Sequence, residues 1–196
     1  MAHFFKKDTQ FEFEFMRTMG QTSYGAAELG ECLATAARIV DGDYDSWHDE
    51  WFDTAQWLFD RAAGTESQHK VSARDAYLRC ANYYRTAEFF LHGSPGDPRI
   101  HRTSKMSVES FHRAARLHDP EIETVEIPYG TGHLPAYFFR AAGESSTPKP
   151  TVVIHNGFDG TAEEIYSFGG RAATTAATTS SPSKGPARGR SSGPRA

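Results

Sequence analysis

The segment between residues 151 and 164 constrains the fold more than any other part of the 196-residue chain. It begins with a β-branched run at 152–154, which follows two prolines and precedes a cluster of glycine, asparagine and aspartate. This pattern predicts a buried strand over 151–155 that ends in a sharp loop. Thr161 then begins a helical stretch, and Glu164 stands three residues later to complete a capping box. Such a loop and helix N-terminus present free backbone N–H groups, which hold anions and developing oxyanions.

The apolar residues upstream of this segment are spaced for helices. Between Ser23 and Leu117 they recur at three and four residues, which predicts four helices separated by breaks at Gly42, Gly64 and 93–98. Ser46 is the expected cap of the second helix. Its stripe is typical of a packed core rather than of a cofactor site, and consists of Trp47, Trp51, Ala55, Leu58 and Ala62.

Two other segments alternate with a period of two, which is the period of a strand. Phe11, Phe13 and Phe15 alternate with glutamates, which predicts a short strand or extended segment. After residue 120, apolar residues at 122, 125 and 127, a turn at 130–132 and a second run at 134–140 predict a hairpin. With the strand at 151–155 and the helix after it, the chain is predicted to be of the α/β class.

Composition excludes several classes of protein. The net charge of −4 does not favour general binding to nucleic acid. The sequence contains no run of 18 apolar residues, so no membrane span is expected. The N-terminus lacks the order of a secretion signal, so we expect a cytoplasmic protein. Cys32 and Cys80 stand singly in apolar helical stretches and are interpreted as buried thiols rather than a disulfide. We expect no cofactor and no metal site.

Residues 172–196 differ from the rest of the chain. They contain only Ala, Thr, Ser, Pro, Gly, Lys and Arg, with four basic residues and no acidic one. One interpretation is a disordered basic tail that contacts nucleic acid. The interpretation that we favour is a frameshift, because the shifted codons of 174–189 permit D-R-G-Y-D-V-L-A-F-E-G-P-G-Q-G, a helix end, a buried strand and a glycine-rich turn. The DNA sequence around codons 171–174 decides between the two.

Several stretches within residues 10–171 resemble one family of α/β-hydrolases, and they occur in the order of that family. The family contains 2,6-dihydroxypseudooxynicotine hydrolase, pigment-polyketide-shortening hydrolases and proteins similar to dipeptidyl aminopeptidase and acylaminoacyl-peptidase. The resemblance implies a helical N-terminal domain (1–120) and the start of the hydrolase core (121–171), with a hairpin, one parallel strand and the first helix of an incomplete sheet. The matching stretches are 25–31, 39–43, 46–51, 87–90 and 156–164.

The same resemblance implies a reaction and part of a site. Members cleave esters, amides or carbon–carbon bonds next to a carbonyl in small molecules, with a serine nucleophile. Gly157 and Phe158 would form the oxyanion hole, with the N–H of Phe158 as donor, and His155 and Asp159 are candidates for supporting the loop. The nucleophile, the acid and the catalytic histidine are all expected beyond the point where the frame is lost. A literal G-x-S-x-G at 189–193 lacks the flanking strand that the motif needs.

Other interpretations of the chain and of single motifs stay open. The chain could be a non-catalytic helical module for binding or dimerisation, and a homodimer is compatible with the sequence. Asp41, Asp43 and Asp45 resemble a calcium loop, but the ligand expected at its twelfth position is missing. We therefore interpret these three residues as a helix-start turn.

Overall fold

The computed structural model describes residues 3–141, 148–157 and 159–174. A two-stranded hairpin follows a helical N-terminal part, and a π-helical turn at Tyr166–Gly170 lies further along. Short 3₁₀ turns at Gln21–Tyr24 and Phe89–Gly93 follow the first and fourth helices. The α-helices are α1 (Thr9–Gly20), α2 (Leu29–Ala36), α3 (Tyr44–Thr65), α4 (Lys70–Glu88) and α5 (Pro98–Arg116), and the strands are β1 (Glu123–Tyr129) and β2 (Gly132–Phe138).

The core of the helical part is aromatic, as the stripe on α3 predicts. Helix α4 packs against both α3 and α5. Trp47 and Trp51 are fully buried, and the Trp47 ring lies 4.5 Å from that of Phe11. The Trp47 indole N–H also donates to the Thr86 carbonyl at 2.8 Å, so its polar edge is satisfied inside the core. No helix in the described part of the chain is long and apolar enough to cross a membrane.

The prediction of a strand or extended segment at residues 11–15 is wrong, because these residues lie within helix α1. Asp8 caps the helix by accepting the N–H of Gln10 at 2.8 Å. Phe11 and Phe15 stand one turn apart and are both fully buried, whereas the Phe13 side chain is 62% exposed. Burial of two rings on one helical face decides the conformation here, and the alternation with glutamate does not.

The aspartates at 41 and 43 accept backbone N–H groups in two different places. Asp41 accepts the backbone N–H groups of Lys6 and Lys7 at 2.7 and 2.8 Å, and these bonds hold its pKa below the ordinary value. Asp43 is the N-cap of α3. The cap expected at Ser46 is therefore wrong, and the Ser46 hydroxyl instead accepts the N–H of Val40 at 2.9 Å.

The predicted hairpin is confirmed. Strands β1 and β2 are antiparallel, with Val125 opposite Ala136 and Ile127 opposite Leu134. Gly130 lies in the turn with φ at 58°, a left-handed conformation that glycine adopts without strain. The apolar side chains of β1 remain exposed, so this face of the hairpin is uncovered in the described residues.

The parallel strand expected at 151–155 does not form. Residues 151–157 have no regular secondary structure, and the sheet of the described residues contains β1 and β2 alone. Val152 and Val153 are 67% and 90% exposed, although a buried strand was expected. A parallel strand is stable when neighbouring strands pair with it and helices cover both faces. No such neighbour lies beside 151–157 in the described residues.

The two cysteines are free and buried, as expected. Cys32 lies on α2 and Cys80 on α4, and both side chains are fully buried. Burial raises the pKa of the Cys32 thiol to about 11, so it is a protonated, unreactive thiol at neutral pH.

Candidate functional site

The loop residues 154–157 and 159–160 border a cleft of about 290 Å³. The Asn156 side-chain amide donates to the Gly160 carbonyl and joins the two ends of the loop. A Cβ at Gly160 would lie 3.0 Å from Asn156 Cβ, so this close approach favours glycine. His155 is exposed, and its Nδ1 lies 3.0 Å from the Asn156 carbonyl. Phe158, the expected oxyanion donor, lies outside the described residues.

The helix start after this loop has the predicted capping box. The Thr161 N–H donates to Glu164 Oε2 at 2.9 Å, and the Glu164 N–H donates to Thr161 Oγ1 at 3.4 Å. The chain then turns through the π-helical segment, which buries the Tyr166 ring against Phe111 and Phe139. The helix start is therefore fixed to the helical part of the protein by an aromatic contact.

Two arginines of the helical part also contact the loop. Arg17 of α1 donates to Asp159 Oδ2 and to Glu164 Oε1, each at 3.0 Å. Arg85 of α4 donates to the main-chain carbonyl of Asp159 at 2.9 Å, and its Nε lies 3.1 Å from Glu164 Oε2. Glu14 of α1 lies 3.1 Å from Arg85 Nη1. We call Glu14, Arg17, Arg85, Asp159 and Glu164 the anchoring network.

Burial and charge act against each other in this network. Burial tends to raise the pKa of Asp159, but the hydrogen bond and charge of Arg17 outweigh it and lower that pKa. Burial also tends to lower the pKa of Arg17, and the carboxylates of Glu164 and Glu14 reverse this. For Glu14 burial dominates over both arginines and raises its pKa. The arginines therefore keep Asp159 ionised.

Sequence reasoning missed the anchoring network because it gave residues 11–15 the wrong period. In a strand over residues 11–15, Glu14 lies on the polar face opposite the phenylalanines. As a helix, Glu14 shares a face with Phe11 and Thr18, and its side chain is 1% exposed. A buried carboxylate requires a cationic partner. A helical interpretation of this segment therefore predicts a buried arginine as the partner of Glu14.

A second set of hydrogen bonds connects the hairpin to the helix start. The Tyr137 hydroxyl of β2 donates to Glu163 Oε1 at 2.5 Å and lies 3.1 Å from His112 Nε2 of α5. Burial and the adjacent Glu163 raise the pKa of Tyr137 well above its ordinary range, so the phenol stays protonated. These hydrogen bonds fix β2 against α5.

An acid–histidine–hydroxyl arrangement lies away from the loop. His48 Nδ1 lies 2.8 Å from Asp49 Oδ1, and Nε2 lies 3.2 Å from Thr103 Oγ1. The Thr103 side chain is fully buried and His48 nearly so, so no substrate carbonyl can reach the hydroxyl. The arrangement connects α3 to α5 and has a structural role. In the described residues, no group of three His, Cys, Asp or Glu side chains is arranged to hold a metal ion.

A comparison with known protein families decides the family. The model of the family described as Esterase FrsA-like matches residues 29–173, which is more than half of the chain. The chain belongs to the FrsA-like esterase family. The α/β-hydrolase resemblance carried by the loop and by the helical stretches is thereby confirmed for the N-terminal part of the fold.

Three individual hydrolases are similar to most of this chain. The 20-hydroxy-prefusarin hydrolase FUS2 of Gibberella moniliformis is 42% identical over 173 residues, which cover 83% of this chain and 40% of that protein. The hydrolase acrC of Aspergillus aculeatus is 39% identical over 189 residues, 88% of this chain and 44% of that protein. The α/β hydrolase gkaG of Penicillium citrinum is 35% identical over 177 residues, which cover 85% of this chain and 40% of that protein. The chain thus spans about 40% of the length of these relatives.

Proposed function

We propose that residues 1–171 are the N-terminal part of a serine α/β-hydrolase, which acts on an ester, an amide or a carbon–carbon bond next to a carbonyl in a small molecule. The observation that carries this proposal is the loop of residues 155–157 and 159–160, which leads into a capped helix start and is held at Asp159 by Arg17 and Arg85. The three relatives are each named as hydrolases, which supports the same reaction class.

In the proposed mechanism the loop stabilises charge and supplies no nucleophile. A serine attacks the substrate carbonyl, a histidine takes its proton, and an acid orients the histidine. The carbonyl oxygen becomes an oxyanion, which the backbone N–H at Phe158 stabilises next to Gly157. Asp159 and His155 support the loop on either side of this peptide.

The catalytic serine, histidine and acid lie outside residues 1–171 in this proposal. The family match ends at residue 173, beside the change in composition at 172, which supports the interpretation of 172–196 as an out-of-frame tail. Residues 171–174 are helical, and the tail from 175 to 196 lies outside the described residues. We expect this chain alone to have no serine-hydrolase turnover.

Hydrolysis of short-chain nitrophenyl esters tests the proposal in two proteins. One is this chain, and the other is a frame-repaired form in which the downstream DNA is read in the alternative frame. We expect turnover in the repaired form and none in this chain. In the repaired form, Phe158→Pro removes the proposed oxyanion N–H and should lower kcat by about 10²–10³.

Phe158→Ala is the matched control, because it removes the ring and keeps the N–H. A folded Phe158→Pro enzyme with full activity would eliminate this donor. Ester hydrolysis by this chain that is lost on changing a serine within 1–171 would overturn the proposal that the catalytic residues lie outside 1–171. If neither protein has activity, the alternative of a non-catalytic binding module is favoured.

A further inference from the structure

The anchoring network joins three segments that are distant in the sequence. Glu14 and Arg17 belong to α1, Arg85 belongs to α4, and Asp159 and Glu164 belong to the loop and the helix start. The side chains of Glu14, Arg85 and Glu164 are 1%, 5% and 4% exposed. Five charged groups therefore meet at the place where the helical part contacts the loop.

Arg85 uses each of its three nitrogens for a different segment. Nη1 contacts the Glu14 carboxylate, Nε contacts the Glu164 carboxylate, and Nη2 donates to the Asp159 carbonyl. The guanidinium is planar and rigid, so these contacts fix the relative positions of α1, the helix start and the loop backbone. A lysine at this position keeps the charge but has no such fork.

Arg17 holds the same segment from the other side. It contacts the Asp159 carboxylate, which is half exposed, and the Glu164 carboxylate, which is buried. The loop residue Asp159 is thus held at its side chain by Arg17 and at its main chain by Arg85. Buried ion pairs contribute little net stability, because desolvation offsets the attraction. Their fixed geometry has a clearer consequence, which is to define the position of the loop.

We propose that Arg17 and Arg85 are positioning residues, which hold Asp159 and the helix start at Glu164 and so fix the loop residues 155–157 and 159–160 beside the site of the proposed reaction. The catalytic part of this inference rests on the proposed function, whereas the anchoring can be measured on this chain alone. In this arrangement the helical part is a component of the catalytic apparatus. Displacement of a catalytic group by about 1 Å can cost roughly 10²-fold in rate, so such anchoring affects turnover.

Hydrogen exchange followed by mass spectrometry tests the anchoring in this chain. The reporters are the N–H of Thr161, bonded to Glu164, and the N–H groups of Ser167 and Phe168, which donate to the Glu164 carbonyl. We expect Arg85→Lys and Arg17→Lys each to accelerate exchange at 159–168 by about tenfold, because bonds to charged groups are lost. Exchange in α2 and α3 should be unchanged.

Arg79→Lys is the matched control on the same helix. Arg79 pairs with Glu31 of α2 at 2.9 Å and does not take part in the anchoring network. Unchanged exchange at 159–168 in both anchoring variants would overturn the inference, and so would equal acceleration in the control. If Arg85→Lys does not fold, Arg17→Lys remains the test, and Asp159→Asn, which alters the half-exposed side chain that Arg17 holds, is its second variant.

The frame-repaired enzyme separates positioning from plain stability. Arg85→Lys should lower kcat by about 10- to 100-fold with little change in KM, because the loop acts on the transition state. A faster-exchanging loop with an unchanged kcat would overturn the positioning role. Absence of any activity in the unaltered repaired enzyme would count against the proposed function, while the exchange result on this chain would still decide the anchoring.

Discussion

The two buried glutamates of the anchoring network differ in what their charge contributes. The Glu164 carboxylate accepts from Arg17, Arg85 and the Thr161 N–H. Glu14 has the two arginines as partners, and burial still raises its pKa above the ordinary 4.5. A raised pKa means that the contribution of Glu14 to stability is full below pH 4.5 and falls as the pH rises through its folded-state pKa. The negative charge is therefore costly at position 14 and well compensated at position 164.

This difference predicts losses of unequal size for two isosteric substitutions. At pH 7, Glu14→Gln should change the free energy of unfolding by less than about 1 kcal/mol, because the amide keeps an acceptor for Arg85. Glu164→Gln should cost about 2–3 kcal/mol, because it removes a capping carboxylate and leaves two arginines under-compensated. Urea denaturation followed by circular dichroism measures both. Equal losses in the two variants would contradict this account.

At the level of elements, the sequence predicts most of the helices and the hairpin, and fails where the period is ambiguous. In α3 the apolar stripe extends over four turns, so only a helix satisfies it. In α1 three phenylalanines fit a period of two over five residues, which is too short to exclude a helix. The aromatic partners of Phe11, including Trp47 and Phe90, come from remote parts of the chain and decide the outcome.

Alanine substitutions in α1 test which period governs this element. Phe11→Ala should lower the free energy of unfolding by about 3–5 kcal/mol, because it opens a cavity among buried rings. Phe13→Ala, two residues away and largely exposed, should change it by less than about 0.5 kcal/mol. Thermal unfolding of the two variants checks this. A strand with all three rings on one face would instead give comparable losses at both positions.

At the level of the whole molecule, the site divides into a part that is local in sequence and a part that is not. The capping box of Thr161 and Glu164 is predictable because its two residues stand three apart. The contacts of Arg17 and Arg85 with Asp159 are not predictable in this way, since they join residues more than 70 positions apart. The prediction of a strand at 151–155 is wrong for a related reason. Its apolar pattern is typical of a strand paired within a sheet, and no partner strand lies beside it in the described residues.

The unpartnered segment predicts self-association of the chain. Residues 151–154 are uncharged and β-branched, and Val152 and Val153 are largely exposed beside backbone groups without a strand partner. Such a segment pairs readily with a second copy. Val153→Lys should therefore reduce the oligomeric fraction in size-exclusion chromatography with light scattering, because a charge opposes pairing. Val71→Lys places the same charge at an exposed valine of α4 and should leave association unchanged. If the unaltered chain is a monodisperse monomer, residues 151–157 are satisfied within the molecule and the module interpretation gains support.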